Sequence, residues 1–274
     1  MIAVQFHLDF KGMTGDPTRT LAPDYKFSDG SSITVLKGYV YNQANGYNAV
    51  PIQVLDIDVK VIDGKKIGDI SIMLPQNQKF DVVFLGTSIN HNAQTSKLHY
   101  NITDRTLSVN YNIINGNDEE LDCFFASRTI VTTAHVDAKT IELTRPFAQL
   151  NIGTLDYEEY NATTPVKDIA VKVSSIYNKV NLMTGDIVGE PLDVSFKSST
   201  VPSDQLYPIE GFSYLAMNYL LVDQRKLVNV DIIVNHTNSS TSSKTINIPK
   251  VAVERNYQTN VYGKTLLTKE LPTE

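Results

Sequence analysis

The stretch LTRPFAQLNIGT, residues 143–154, reads as two strands that meet at an Arg-Pro step. Apolar and polar residues alternate on both sides of the step, and this period of two is typical of a half-buried strand. A proline has no amide hydrogen to donate to a sheet ladder, so it belongs at a strand's first residue, a bulge or an edge. We therefore predict that KTIELT (139–144) ends one sheet, that FAQLNIG (147–153) begins another, and that Arg145 and Pro146 form the joint.

The same period recurs along the rest of the chain. Turn-forming clusters such as MTGD and NHTNSSTSS stand between the alternating segments, and helical periodicity is confined to short stretches at 117–126 and 155–160. Many short strands separated by turn signals indicate an all-β sandwich class. The remaining alternating segments are 33–42, 54–62, 80–86, 106–113, 167–173, 214–222, 227–234, 244–248 and 258–267.

The chain length favours two sandwiches in tandem. A sandwich takes roughly 7 strands and about 100 residues, and the chain has 274 residues. We predict one β-sandwich domain over 1–145 and a second over 146–274, with short helical turns. The short joint leaves little freedom, so we expect a stiff rod, which suits a structural or surface protein better than an enzyme that closes on a substrate.

The first ten residues, MIAVQFHLDF, predict a half-buried strand over 2–10. Gln5, His7 and Asp9 fall on its solvent face. Its core face carries Ile2, Val4, Phe6, Leu8 and Phe10. The segment has no basic start and no cleavage site, so it does not look like a signal peptide. Either the protein is cytosolic, or this is a mature chain whose export signal has been removed.

Charge and composition exclude several classes of partner. The net charge is −6 and no basic run occurs, which argues against binding to a nucleic-acid backbone. No stretch of about 18 uninterrupted apolar residues is present, so no transmembrane helix is expected. The chain is 42% hydrophobic, which is enough for a real core.

The sequence predicts no catalytic residue, no cofactor site and no metal site. Walker A, dinucleotide-binding, nucleophile-elbow and zincin motifs are all absent from the sequence. His91 and His99 are eight residues apart in an Asn-rich stretch, which is not a metal-ligand spacing. Asp56 and Asp58 share one face of a predicted strand, where a solvated surface explains them better than a catalytic pair.

Three further features each have a structural and a functional interpretation. NGNDEELD (115–122) has the oxygen density of a calcium loop without the EF-hand pattern, so calcium is the less favoured interpretation. Cys123 lies beside Phe124 and Phe125, which favours a buried thiol over a nucleophile. The fourteen tyrosines could line a sugar site, but most lie in strand patterns, where tyrosine pairs across a sheet.

Several segments resemble the signature segments of the fimbrillin family, the subunits of type V pili of Gram-negative anaerobes. They are LTRPFAQLNIGT (143–154), NLMTGDIVG (181–189), YLAMNYLLV (214–222) and IPKVAVERNYQTNVYGKTLLT (248–268). ERNYQTNVYGKTLLT is the most specific of them. The resemblance spans nearly the whole chain and is strongest in the second half.

The resemblance implies a fold, a location and an assembly mechanism. Fimbrillins are two tandem transthyretin-like Greek-key sandwiches, exported as lipoproteins to the outer surface, and they are not enzymes. An arginine-directed protease removes the first strand, and a neighbour's terminal strand fills the groove. Here the cleavable loop would be 11–25, which contains Arg19 and is rich in Gly, Pro and Thr. The partners would be other pilus subunits, with a host or bacterial surface ligand, and a lipid anchor on the precursor.

One departure from the family pattern concerns the C-terminus. After NVYGKTLLT the sequence continues only with KELPTE, whose one large apolar residue is Leu271. Such a segment would not fill five alternate pockets. Either the extension is missing from this sequence, or the subunit accepts a strand without donating one. The second case favours a tip or accessory subunit over a repeating stalk subunit. Two other classes stay open, a surface glycan-binding lipoprotein and an enzyme with a nonstandard site.

Overall fold

The computed structural model describes residues 1–11, 32–62, 65–89, 96–133, 138–203, 209 and 211–267. The predicted processing residue Arg19, and with it most of the loop 11–25, lies outside the described residues, as does His91.

Strands dominate the described part of the chain, which confirms the all-β prediction. Before the Arg-Pro step they are β1 Ile2–Phe10, β2 Val35–Asn42, β3 Gln53–Asp56, β4 Val59–Ile62, β5 Lys65–Leu74, β6 Lys79–Thr87, β7 Leu98–Asn101, β8 Thr106–Val109, β9 Cys123–Val131 and β10 Lys139–Leu143. After it they are β11 Phe147–Thr154, β12 Val166–Ile176, β13 Lys179–Asn181, β14 Leu192–Ser195, β15 Ser213–Leu221, β16 Lys226–His236, β17 Lys244–Val253 and β18 Gln258–Gly263.

Helical structure is limited to short pieces in the described residues. The helix α1 spans Tyr157–Thr163, close to the predicted turn at 155–160, and 3-10 turns span Gln43–Asn45, Tyr111–Ile113 and Glu119–Leu121. The predicted helical stretch at 117–126 is wrong beyond the last of these turns. Its apolar end belongs to β9, in which Phe124 faces one hydrophobic core and Cys123 and Phe125 face another.

Two four-stranded sheets form a sandwich before the Arg-Pro step. One has the strand order β10-β1-β5-β4 and the other β3-β2-β6-β9. Because side chains alternate along a strand, every second side chain of each strand lies between the two sheets. The core between them includes Val4, Phe6, Leu8, Leu36, Val40, Ile72, Leu74, Phe80, Val82, Phe84, Phe124, Ile130, Ile141 and Leu143.

The predicted single strand 54–62 is two strands in different sheets. β3 belongs to the second sheet and β4 to the first, and the chain crosses between them at Ile57. Ile57 is buried in the core and its amide donates to the carbonyl of Leu36 at 2.9 Å. Asp56 and Asp58 are exposed on either side of Ile57, as their solvated interpretation predicted.

The sheet β3-β2-β6-β9 is covered on its second face too. Tyr39 and Tyr41 point away from the first core, and the Tyr41 hydroxyl lies 3.0 Å from that of Tyr100. Tyr100 belongs to a three-stranded sheet with the order β13-β8-β7. Since β13 follows the Arg-Pro step and β7 and β8 precede it, this sheet joins the two parts of the chain.

The part after the Arg-Pro step contains a three-stranded sheet, β15-β11-β18, and a four-stranded sheet, β14-β12-β16-β17. Every residue of β11 is buried, including two amides. Gln149 donates to Asn151 at 2.9 Å, and Asn151 donates to Asn260 at 2.8 Å, so these side-chain amides link β11 to β18. One hydrophobic core contains residues from both sides of the Arg-Pro step. The division into domains 1–145 and 146–274 therefore stays a prediction.

The alternation of β1 yields a stability prediction. Phe6 is buried against Phe84, with ring centroids 5.2 Å apart, whereas Gln5 is exposed. We expect Phe6→Ala to lower the free energy of unfolding in urea by about 3–5 kcal/mol. Gln5→Ala, the matched control, should change it by about 0.5 kcal/mol or less. Equal losses from the two variants would show that β1 does not bury the face assigned to it.

Candidate functional site

The first strand lies inside its sheet and not at an edge. β1 pairs antiparallel with β5 from Ile2 to Asp9, and parallel with β10 from Phe6 to Phe10. Its two neighbours therefore have no described pairing with each other along this stretch. Removing β1 would open a strand-wide groove with unpaired backbone on both walls, which is a template for strand addition.

The inward side chains of β1 hold it in the core. Val4 and Leu8 are fully buried and Phe6 is 2% exposed, while Ile2 and Phe10 are half-buried. Each fully buried large apolar side chain is worth roughly 1.5–3 kcal/mol, so three contribute a gross figure of about 5–9 kcal/mol. Burial alternates along the middle of β1, and the two end positions are less buried than the middle three.

The outward face of β1 carries a charged contact that the sequence did not predict. His7 Nδ1 lies 2.7 Å from Oδ1 of Asp69 on β5, and His7 Nε2 lies 3.2 Å from Oδ1 of Asp9. The hydrogen bond with Asp69 and the charges of both carboxylates raise the pKa of His7, although partial burial opposes this.

The end of β1 is attached to the joint. The Lys11 amide donates to the carbonyl of Leu143 at 2.9 Å, which continues the β1–β10 ladder by one residue. The Lys11 carbonyl in turn accepts from Nη1 of Arg145 at 3.4 Å. Phe10 packs edge-on against Phe124, with ring centroids 5.0 Å apart. The first strand and the Arg-Pro step are thus neighbours in space.

The joint itself is built on a buried ion pair. Arg145 donates through Nε to Oδ1 of Asp122 at 2.5 Å and through Nη2 to Oδ2 at 2.9 Å, and both side chains are fully buried. The guanidinium also lies 4.0 Å from the centre of the Phe124 ring. Burial opposes the charge, but the Asp122 carboxylate outweighs it and raises the pKa of Arg145. Removing either partner would leave an unpaired buried charge.

The part of the chain after the step is fastened to the same point. The Arg145 amide donates to Oδ1 of Asn256 at 3.3 Å, and the Asn256 amide donates to the carbonyl of Phe147 at 2.8 Å. Pro146 is buried at a bend between β10 and β11, where its missing amide hydrogen breaks no described ladder bond. The predicted joint residues lie where β1, β9, β10, β11 and the segment before β18 meet.

Sequence reasoning found Arg145 but not its partners. Asp122 lies 23 positions before Arg145, and Asn256 lies 111 positions after it, so no local pattern links them. The signal that could have drawn attention to Asp122 was its place directly before the apolar run CFFA, because a carboxylate that enters a core needs a partner.

The segment 115–122 does not gather its carboxylates around a common point. Asp118 and Glu120 both contact the Lys97 ammonium, at 2.7 and 2.5 Å, while Asp122 binds Arg145. Within the described ranges, no three His, Cys, Asp or Glu side chains come together as a possible metal site. Cys123 is a buried free thiol, as predicted, and burial raises its pKa.

No helix in the described part of the chain combines the length and apolar character that crossing a membrane requires.

Comparisons with known proteins agree with the architecture. A family model described as "Family of unknown function (DUF6562)" matches residues 16–273. A search of curated proteins finds no match. Among solved structures, a "putative cell adhesion protein" of Bacteroides eggerthii aligns with a TM-score of 0.57 at 12% identity, over 95% of this chain and 84% of that one.

Two further solved structures align over similar lengths. A "putative adhesin" of Bacteroides ovatus gives a TM-score of 0.53 at 11% identity, over 95% of this chain and 87% of the other. A structure from Bacteroides thetaiotaomicron, titled "putative polysaccharide binding proteins", gives 0.51 at 10% identity, over 96% and 90%. At these identities the alignments show a shared fold. An all-β sandwich fold is what the sequence predicted.

The buried ion pair yields a second stability prediction. Asp122→Asn leaves the Arg145 charge without a counterion in a buried site, so we expect a loss of about 3–5 kcal/mol in the free energy of unfolding. The control is Asp56→Asn, which removes a carboxylate that is 86% exposed from its contact with Lys37 and should cost about 1 kcal/mol or less. Urea unfolding followed by circular dichroism measures both. Indistinguishable losses would mean that the pair is not the support of the joint.

Proposed function

We propose that this chain, which belongs to the family described as "Family of unknown function (DUF6562)", is a non-enzymatic, adhesive subunit of a cell-surface pilus. Its assembly would proceed by strand exchange, in which β1 is removed after proteolytic processing and a neighbouring subunit supplies a replacement strand.

The observation that carries the proposal is the position of β1. It lies between β5 and β10, and its inward face completes a hydrophobic core. The groove that it leaves would offer two unpaired backbone walls and at least three apolar pockets, the features that a donated strand recognises.

The adhesive part of the proposal draws on the fold. The structures from Bacteroides eggerthii and Bacteroides ovatus share the fold, and their printed names are "putative cell adhesion protein" and "putative adhesin". With that support, we propose that the protein lies on the cell surface. It would be exported as a lipoprotein precursor, and the lipid would be its contact with the membrane. The proposed partners are other pilus subunits and a host or bacterial surface ligand.

The processing step is proposed at Arg19. Cleavage there would sever the covalent link between β1 and the rest of the chain while its backbone pairing and buried side chains remain. The nicked protein would therefore keep its strand until a competitor displaces it, and cleavage would act as the switch for assembly. The tip or accessory position stays a prediction, since residues 268–274 lie outside the described part of the chain.

A surface glycan-binding role is the alternative. The name "putative polysaccharide binding proteins" belongs to a structure that shares the fold at 10% identity. The aromatic residues offer this role little support, because seven of the twelve tyrosines that the structure describes are buried. The buried ones are Tyr39, Tyr41, Tyr100, Tyr111, Tyr160, Tyr214 and Tyr219. Strand exchange is therefore the better supported proposal.

Strand exchange can be tested with the chain's own first strand as the probe. The protein is nicked with an arginine-specific protease, its cleavage site is read by intact mass, and a fluorescently labelled peptide of residues 1–19 is added. We expect the nicked protein to take up the label slowly and the intact protein to take up none. Arg19→Ala should block both nicking in this loop and uptake of the label.

The matched control is the same peptide carrying Phe6→Asp. It keeps the backbone that pairs with β5 and β10 but places a carboxylate in the core, so it should not be taken up. Equal uptake of the two peptides would indicate nonspecific binding. A nicked protein that loses residues 1–19 and never takes up the native peptide would refute strand exchange.

A further inference from the structure

The contact of His7 with two carboxylates depends on protonation. A neutral imidazole has one N–H and one lone pair, so it donates to one acceptor only. Here each ring nitrogen faces a carboxylate oxygen, at 2.7 Å for Asp69 and 3.2 Å for Asp9. With a neutral ring, one carboxylate would face a lone pair, and two negative charges would flank an uncharged group. The imidazolium form satisfies both contacts.

The contact lies across the pairing that holds the first strand. His7 and Asp69 are direct cross-strand partners on β1 and β5. Asp9 is on the same face of β1, two residues further on. The proton on His7 therefore adds a cross-strand ion pair to the backbone ladder and neutralises part of the charge of both acids.

The other charged groups around this face do not replace that contact in the described residues. On β10, Thr140 is the register partner of His7, and Glu142 is the partner of Asp9. Glu142 pairs with the Lys11 ammonium at 2.7 Å, and Lys139 begins β10 opposite Phe6. A shallow cavity of about 370 Å³ lined by His7, Asp69 and their neighbours opens this site to solvent. Protons can therefore reach the ring without unfolding.

We propose that His7, Asp9 and Asp69 form a proton-dependent latch, which holds the first strand on β5 more tightly in mildly acidic than in alkaline solution. The latch is a property of the intact chain; its role in the release of β1 rests on the function proposed above.

The direction of the pH effect follows from linkage. The pKa of His7 is raised in the folded chain above its ordinary value of 6.5. Folding therefore favours the protonated ring, and the added stability is fully present below that ordinary value and is lost as the pH rises through the folded pKa. The His7 side chain is 43% exposed, so added salt should weaken the latch.

The first test uses the intact chain. Urea unfolding midpoints are measured between pH 5.5 and 8.5, a range in which ordinary aspartates are ionised. We expect the midpoint of the native chain to fall with rising pH, and His7→Gln to remove a large part of this slope. Asp69→Asn should also flatten it, whereas Asp56→Asn, the matched carboxylate control, should retain the native slope. If His7→Gln keeps the native slope, the latch is wrong, whatever happens in strand exchange.

The second test uses the nicked chain. Release of residues 1–19 into excess unlabelled peptide should be several-fold faster at pH 8.5 than at pH 5.5, and His7→Gln should make the two rates nearly equal. A latch confirmed in the intact chain, together with a nicked chain that exchanges at no pH, would uphold the latch and refute the proposed assembly. If the release rate of His7→Gln depends on pH as strongly as that of the native chain, the latch does not control strand release.

Discussion

The buried ion pair between Arg145 and Asp122 is the contact around which the centre of the molecule is arranged. A charge that is removed from water must remain paired, so the entrance to β9 and the step from β10 to β11 have to meet in one geometry. The same guanidinium reaches the Lys11 carbonyl, and the amide of the same residue reaches Asn256. One arginine therefore positions the end of the first strand and the start of the second set of sheets.

This arrangement couples the first strand to the joint. If β1 left its place, Phe124 would lose the ring of Phe10, and Arg145 would lose the Lys11 carbonyl. The ion pair would then stand closer to solvent, where its attraction is weaker. A strand that replaced β1 would have to restore the apolar face and also close this end of the groove. Under the proposed assembly, the residue that follows the donated strand's last apolar side chain would contact the joint.

The sequence was most informative where one face of a strand is buried and the other is solvated. β1 and β10 could be predicted, because local alternation determines them. β11 is buried on both faces, but Gln149 and Asn151 keep its alternation and the missing amide hydrogen of Pro146 marks its start. Prediction was weaker where consecutive apolar residues fill both faces of a strand. At 117–126, the acids at the start suggested a helix, while the apolar end enters a strand between two cores.

The remaining features depend on partners that are distant in sequence. The crossing at Ile57 turns one alternating segment into strands of two sheets, and nothing within 54–62 marks it. The partner of Arg145 and the two carboxylates around His7 became visible only when the sheets brought them together. Alternation could predict that His7 points outward, but the register between β1 and β5 decided that Asp69 would lie opposite it.

Under the proposed assembly, β1 is a replaceable part of a fold whose remainder can stand without it. Residue-resolved hydrogen exchange, measured on the nicked chain before and after residues 1–19 are stripped away, tests this most directly. We expect amides of β5 and β10 to lose protection when the strand leaves, while those of β11 and β15 keep theirs. Adding the strand peptide should restore the lost protection. Loss of protection throughout the chain, or no change in β5 and β10, would contradict it.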